Sequence, residues 1–367
     1  MDIIVSQDTF AKALSMVGRV ASSRTGLAIL NNVLLRTEGR SLVISATNLE
    51  IATTHRLNIK VTKEGSITIP AKLISDLVSS LPKEPLHLTT KNNTLFIKTV
   101  RHSSSVRGVG DDEFPELPIV DTNKSVSYSL SVNDFKHAAT QTVICASSDS
   151  TRPVLTGIYW HTHDKQLFFA ATDGYRLAER KIMSVETDVA AIIPASTIQE
   201  VLRSLTDSIE SIEVSFDDTQ VTFIFGDSTI TSKLIDGNFP DYRQLIPEKN
   251  ETTFETKRTE LQQNTKLTSL FSRDNGGTIS VEVDIDNQKV SIFSIGSETG
   301  ENNSEINTSL MSGESGKITF NSRYLLDALS VVDEEDIKIS FSGKLAPILL
   351  TPTTQSEYVH IIMPIKS

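Results

Sequence analysis

The chain has 367 residues, with 35 basic against 46 acidic side chains, a net charge of −11 and one cysteine, Cys145. That length exceeds what one hydrophobic core serves and suits about three domains, while no apolar run approaches the ~20 residues of a membrane span. Met1-Asp2-Ile3-Ile4-Val5 lacks the basic and apolar regions of an export signal, so a cytoplasmic protein with no membrane partner is expected.

The first strand leads into a helix over Asp8 to Ala21, where Phe10, Ala13, Leu14, Val17 and Ala21 recur at helical spacing. Strands follow over Ile29–Arg36, Leu42–Ala46 and Ile51–Val61, with a turn at Glu38-Gly39. A strand at Ser66–Ile69 feeds a second helix from Ala71 to Leu81, with Pro70 at its first turn. Leu73, Ile74, Leu77, Val78 and Leu81 are expected to face inward. Strands at Leu86–Thr90, Leu95–Thr99 and Ser103–Val109 complete this unit, with a hairpin turn at Lys91-Asn92-Asn93.

The same order then returns twice. Ile69-Pro70-Ala71-Lys72-Leu73 recurs 124 residues on as Ile193-Pro194-Ala195-Ser196-Thr197, and again as Phe320-Asn321-Ser322-Arg323-Tyr324. Thr9-Phe10-Ala11-Lys12-Ala13 matches Asp134-Phe135-Lys136-His137-Ala138, and Phe114-Pro115 matches Phe239-Pro240. The later helices are expected over Val132–Ala146, Ala195–Leu205, Thr259–Phe271 and Ser322–Val331, with polar linkers near residues 121–124 and 247–250. The stretch 297–304 reads as a long polar turn. Solenoid periods run roughly 20–50 residues, so this period is that of a whole domain. The reading is an α+β protein of three similar domains, residues 1–123, 124–250 and 251–367.

The solvent faces of these helices carry basic residues among small polar ones. They are Lys12, Ser15 and Arg19; Lys72 and Ser79; Lys136 and His137; Gln199 and Arg203; Lys266; and Arg323, with Asp76, Glu200 and Asp327 interspersed. Taken singly, each is an ordinary solvated face. Gathered on one surface they would suit phosphates without reading base sequence. The acidic total does not exclude this, because a local field follows the charges that line it.

Catalytic patterns are missing from the sequence: it holds no Walker loop, His-Glu-x-x-His, Cys-x-x-Cys or Gly-x-Ser-x-Gly. His161 and His163 have metal-like spacing but make half a site, and read as a solvent-facing pair beside a turn. Asp173-Gly174 is a turn signal, and the acidic runs at 111–113 and 333–336 read as solvated loops. Cys145 reads as a buried, unreactive thiol. No catalytic residue, metal or cofactor is expected.

Particular strings carry a resemblance. Arg152-Pro153-Val154-Leu155-Thr156-Gly157, Ala171-Thr172-Asp173-Gly174-Tyr175-Arg176-Leu177-Ala178 and the stretch from Ser232 to Arg243 resemble the middle domain of the bacterial DNA polymerase III β subunits, the sliding-clamp family. The end of the chain, from Tyr358 through Met363-Pro364-Ile365-Lys366, is similar to that family's tail. The resemblance implies a head-to-tail homodimeric ring around double-stranded DNA, helices inside and sheets outside, that confers processivity on the replicative DNA polymerase and transforms no substrate itself. With the helix-face reading, it points to Arg24, Lys72, Arg152 and Arg203 as sequence-independent DNA contacts. It also implies that the polymerase, the clamp loader, and other polymerases and repair proteins insert a short motif into an apolar groove between the second and third domains.

The matching groove positions are Leu155, Thr172, Gly174, Tyr175, Arg176, Leu177, Pro240, Leu245, Pro347, Met363, Pro364 and Ile365, and the dimer seam falls at Val106 and Leu270-Phe271. Asp149, Pro153 and Val154 stand where the family can place polar or aromatic side chains, and Ala28 where clamps commonly carry proline. Two other readings stay open. One is an enzyme with a site between repeats, around Asp173, His161 and His163; the other is a repeat scaffold that encircles no DNA.

Overall fold

The computed structural model describes residues 1–21, 27–120, 125–296, 300–354 and 357–365. Arg24, Lys366 and the linker at 121–124 lie outside the described residues. Each of six helices among them is entered directly from a strand. Asp2–Ser6 runs into α1 (Gln7–Gly18), Ser66–Pro70 into α2 (Ala71–Ser80), and Val126–Ser131 into α3 (Val132–Val143). Ala190–Pro194 runs into α4 (Ala195–Ser204), Thr252–Lys257 into α5 (Arg258–Ser269), and Gly316–Asn321 into α6 (Ser322–Val331).

Local chemistry explains the elements. In α1 the buried Phe10, Ala13, Leu14 and Val17 form one apolar stripe. Asn321 caps α6, its side chain accepting from the Arg323 N–H at 2.9 Å. The strand Pro85–Lys91 places Leu86 and Leu88 inward at period two. Asn92 and Asn93 both take the left-handed conformation, at φ 48° and 53°, which a two-residue hairpin requires.

The chain packs as two compact units, Met1–Val132 with Glu200–Leu234, and Asn133–Gln199 with Ile235–Ser367. The first holds a five-stranded and an eight-stranded sheet. In the larger, Ser228–Lys233 pairs antiparallel with Ile51–Asn58, so a strand of the middle repeat continues a sheet begun in the first. The second unit holds a nine-stranded and a four-stranded sheet. Here Arg176–Ser184 pairs antiparallel with Tyr358–Ile362, joining the middle repeat to the third.

Several expectations are corrected. The strand expected at Ile51–Val61 is two strands, Ile51–Asn58 and Lys60–Lys63, and the second pairs with Asp2–Ser6 in the other sheet. Residues Ala28–Asn31 form a 3-10 turn before the strand Asn32–Glu38. Leu73 is exposed because α2 buries only the narrower stripe of Ala71, Ile74 and Val78; Leu77 is half-buried. Residues 300–304 belong to the strand Gly300–Ile306, whose partner Lys289–Gly296 supplies backbone hydrogen bonds whatever the polarity of its side chains. Cys145 lies in the turn after α3 and is fully buried.

The joining strand gives a test of stability. Ile230, fully buried, should cost about 2–5 kcal/mol when truncated to alanine. Ile224, 45 % exposed in the adjoining strand, should cost about 0.5 kcal/mol or less by the same change. Urea unfolding of Ile230→Ala and Ile224→Ala measures the difference, and equal costs would contradict this packing.

Candidate functional site

The strand pairing in the second unit gathers residues nearly two hundred positions apart. Leu177 lies opposite Ile361 and Arg176 opposite Ile362. Just beyond, the Met363 N–H donates to the Tyr175 carbonyl at 2.8 Å. Leu177, Ala170, Tyr242 and Ile361 form a buried cluster on which Tyr159, Phe239, Ile246, Leu349, Val359 and Met363 pack. Pro240 is exposed and Leu245 is 46 % exposed, on the segment that Phe239, Tyr242 and Ile246 pin to this cluster. Pro347 is half-buried before the strand Ile348–Pro352, which pairs with Tyr358–Ile362. Pro364 is half-buried and Ile365 is at the surface, its N–H donating to the Thr319 carbonyl at 2.8 Å. Leu155 is buried in the 3-10 turn Pro153–Thr156.

The turn at residues 173–175 shapes one lip. Asp173 Oδ1 accepts from the backbone N–H groups of Tyr175 and Arg176 at 2.9 and 3.0 Å. Thr172 Oγ1 accepts from Gly174 N–H at 3.1 Å and donates to the Arg176 carbonyl at 2.7 Å. Gly174 sits at φ 92°, where a side chain is strained. Tyr175 is left 61 % exposed. Arg176 is held by Asp173 at 3.0 Å and Asp327 at 2.6 Å, with its guanidinium 4.7 Å from the Tyr324 ring centre. Arg152, Tyr175, Asn321, Arg323 and Tyr324 line an adjoining cleft of about 450 Å³.

Beneath the apolar cluster lies a polar network. Tyr242 donates its hydroxyl proton to Glu179, and the hydroxyl lies 2.7 Å from His161 Nε2. Arg243 approaches Glu179 at 2.9 Å and covers the Phe168 ring at 4.3 Å. The solvent-facing reading of His161 is therefore corrected: it is 6 % exposed, stacked against Tyr159, whereas His163 at the strand end is open to solvent. Burial, and then the Arg243 charge, hold its pKa at about 4. Burial also pushes the Cys145 thiol far above its usual range.

The basic candidates fall in both units. In the first, Lys72 is exposed on α2 and lines a cleft of about 510 Å³ with Arg19, Ser75 and Asp76. Arg203 is exposed near the end of α4 and lines a second cleft, about 570 Å³, with Lys12, Arg19 and His55. Glu200, expected on the solvent face, is buried instead and pairs with Arg19 at 2.8 Å and Arg203 at 3.8 Å. In the second unit Arg152 is exposed beside the lip.

Comparison with known proteins assigns every repeat. Models of the DNA polymerase III beta subunit match throughout: its N-terminal domain at residues 1–118, its central domain at 129–241 and its C-terminal domain at 243–366. The chain belongs to the DNA polymerase III beta subunit family. A beta sliding clamp of Staphylococcus epidermidis is 28 % identical over 378 residues, covering all of both chains. The Bacillus subtilis sliding clamp structure superposes with a TM-score of 0.95 at 26 % identity, covering 100 % of this chain and 99 % of that one. A Pseudomonas aeruginosa clamp bound to griselimycin matches with a TM-score of 0.94 at 25 % identity and full coverage of both. The fold is thus the three-domain α+β fold of the beta subunits.

Within this beta-subunit fold, Val106 is buried in its own sheet, on the edge strand Ser103–Arg107. Leu270 is 46 % exposed just past α5, and Phe271 is half-buried. Sequence reasoning missed Glu179, Tyr242 and Arg243, which are ordinary polar residues until folding brings them together. It also missed Asn321 and Tyr324. The string Phe320-Asn321-Ser322-Arg323-Tyr324 is one of the repeat markers, and its departure from the other two copies is the available signal.

The buried histidine predicts a pH dependence. The unfolded chain protonates His161 below about 6.5, while the folded chain keeps it neutral until about 4. Its contribution is therefore complete above that window and is lost as pH falls through it. His360, fully buried and held at about 3, acts in the same direction. Denaturation midpoints should drop between pH 6.5 and 4, and His161→Gln should flatten that drop. An equally steep profile in the variant would contradict the assignment.

Proposed function

We propose that two copies of this chain close head to tail into a ring around duplex DNA, with domains at residues 1–123, 124–250 and 251–367 in each. The ring tethers the replicative DNA polymerase and keeps it on its template. The observation that carries this reading is the match of the whole fold, end to end, to sliding-clamp structures. The chain makes and breaks no covalent bond on this reading; retention is topological, and weak phosphate contacts from Lys72, Arg152, Arg203 and Arg24 let the ring slide. It works in the cytoplasm, opened and closed by a clamp loader.

Two sheet edges support the seam. Ser103–Arg107 ends the five-stranded sheet and Gly300–Ile306 ends the four-stranded one, each with one strand neighbour among the described residues. The first edge carries Arg107 and lies next to Arg101, and the second carries Glu301 and Glu305. Edge-to-edge pairing between copies would satisfy both rows of backbone groups and bring opposite charges together. Exposed Leu73 and Leu270 offer apolar surface for the same contact. Val106 then contributes its strand edge and not its side chain.

The groove around Leu177, Met363, Pro240 and Leu245 receives the short motif of a partner. A few apolar anchors would carry most of its affinity, with Thr172, Gly174, Tyr175 and Arg176 forming one lip. Leu155, Pro347, Pro364 and Ile365 complete the surround. The polymerase, the clamp loader, and other polymerases and repair proteins compete for it.

Loaded onto nicked circular DNA, the protein should stay bound through gel filtration and be released when the circle is cut. Equal loss from circular and linear DNA would rule out a topological link. On this reading griselimycin, found bound to the Pseudomonas aeruginosa relative, binds this chain in the same groove, and Met363→Ala should weaken it about tenfold. Calorimetric titration gives the ratio, and unchanged affinity would exclude Met363 from the groove.

A further inference from the structure

The segment from Asp236 to Glu248 supplies Pro240 and Leu245 to the groove, yet its regular structure is one short turn, Arg243–Leu245. Its internal hydrogen bonds are local. Leu245 N–H donates to the Tyr242 carbonyl at 2.9 Å, Ile246 N–H to the Arg243 carbonyl at 3.0 Å, and Gln244 Nε2 to the Asp241 carbonyl at 3.1 Å. Its polar ties to the sheet below run through Tyr242 and Arg243. Both reach Glu179, which is 7 % exposed on the strand Arg176–Ser184.

The proton count sets the direction of the bond to Glu179. The Tyr242 hydroxyl has one proton, and it goes to the Glu179 carboxylate. The hydroxyl oxygen is then the acceptor for His161 Nε2, 2.7 Å away, in the tautomer that carries the ring proton on that nitrogen. One phenol is thus held from two strands, one carrying Glu179 and the other His161. The Tyr242 ring, 2 % exposed, meets Phe239 edge to face at 6.1 Å. Phe239 in turn stacks on Tyr159 at 4.8 Å.

We propose that Tyr242, Glu179, Arg243 and His161 are positioning residues for partner binding, holding the Pro240–Leu245 wall at a fixed distance from Leu177 and Met363 without touching the partner. The inference rests on the groove reading of the preceding subsection. Its physical content is pre-organisation. Fixing a loose backbone on binding costs conformational entropy, and a wall ordered beforehand spares the partner that cost. The same anchors make the wall selective, because a rigid slot admits fewer side-chain shapes than a loop that can yield.

Tyr242→Phe keeps the ring contacts and removes both hydroxyl hydrogen bonds. Titrated with griselimycin as the probe, it should bind about tenfold more weakly than the unmodified chain. Amide exchange should quicken across residues 237–248 and stay unchanged in the strand Gln166–Thr172. The variant also takes the phenol donor from a buried carboxylate that still faces Arg243, so Tyr242→Phe with Glu179→Gln and Arg243→Gln is the companion. It removes both charges of that pair together and should recover the melting temperature, while affinity stays low. Affinity that returns with stability, or that never fell in folded Tyr242→Phe, would make the network merely structural and overturn the proposal. If the unmodified chain does not bind griselimycin, the groove reading fails first and takes this inference with it.

Discussion

Each sheet built by half a repeat ends in a strand with one row of backbone N–H and C=O groups unpaired, and that open edge governs the rest of the molecule. Bare edges invite uncontrolled pairing, so they must be covered, paired or broken. Here two pairs of them meet across repeats. Ser228–Lys233 takes Ile51–Asn58, and Arg176–Ser184 takes Tyr358–Ile362. The middle repeat therefore contributes its two halves to two different sheets, and the compact units divide it where the sequence shows no linker. Three repeats in sequence are interlocked halves in space.

The candidate groove follows from the second of these junctions. Pairing Leu177 with Ile361 sets the 172–176 turn beside Met363. The first junction has the same turn, bond for bond. Asn48 Oδ1 accepts from the N–H groups of Glu50 and Ile51 at 3.0 and 2.8 Å, and Thr47 Oγ1 accepts from Leu49 N–H at 3.0 Å. Yet Leu49 occupies the left-handed position, φ 74°, that Gly174 fills in the second turn. A leucine there carries roughly 1–2 kcal/mol of strain, tolerated because the surrounding bonds fix the turn. Where the first copy has Glu50 and Ile51, the second has Tyr175 and Arg176, and the latter is clamped between Asp173 and Asp327. The scaffold was duplicated; the chemistry was placed in one copy.

This pattern explains what could be read from residues alone. Helix stripes such as Phe10, Leu14 and Val17, the Asn92-Asn93 hairpin and the Asp173-Gly174 turn are local, set by spacing and backbone preference, and they were legible. Leu73 misled because an apolar residue beside a helical stripe cannot declare whether the stripe is wide or narrow. His161 misled for another reason: its spacing with His163 suggested a solvent-facing pair beside a turn, but its partners lie at 179, 242 and 243. Nothing in the spacing of those four residues signals that two strands and a turn will enclose them. Long-range edge pairing leaves almost no mark in sequence, so the composition of the groove was accessible through family resemblance and not through periodicity.

The acidic total and the proposed DNA role are reconciled by the same packing. Arg19 and Arg203 both lean on Glu200, which is buried and so screened less than a surface carboxylate. Such pairing fixes the guanidinium groups in place and weakens the field they project. Lys72 stands on another helix with Asp76 lining the same cleft. A face made of cations tethered to nearby acids attracts phosphate without gripping it, and its contacts can be exchanged between successive phosphates at little cost. For a protein retained by closure of a ring, strong attraction would be a brake. A partly neutralised helix face is therefore the better solution, and it needs no net positive charge on the chain.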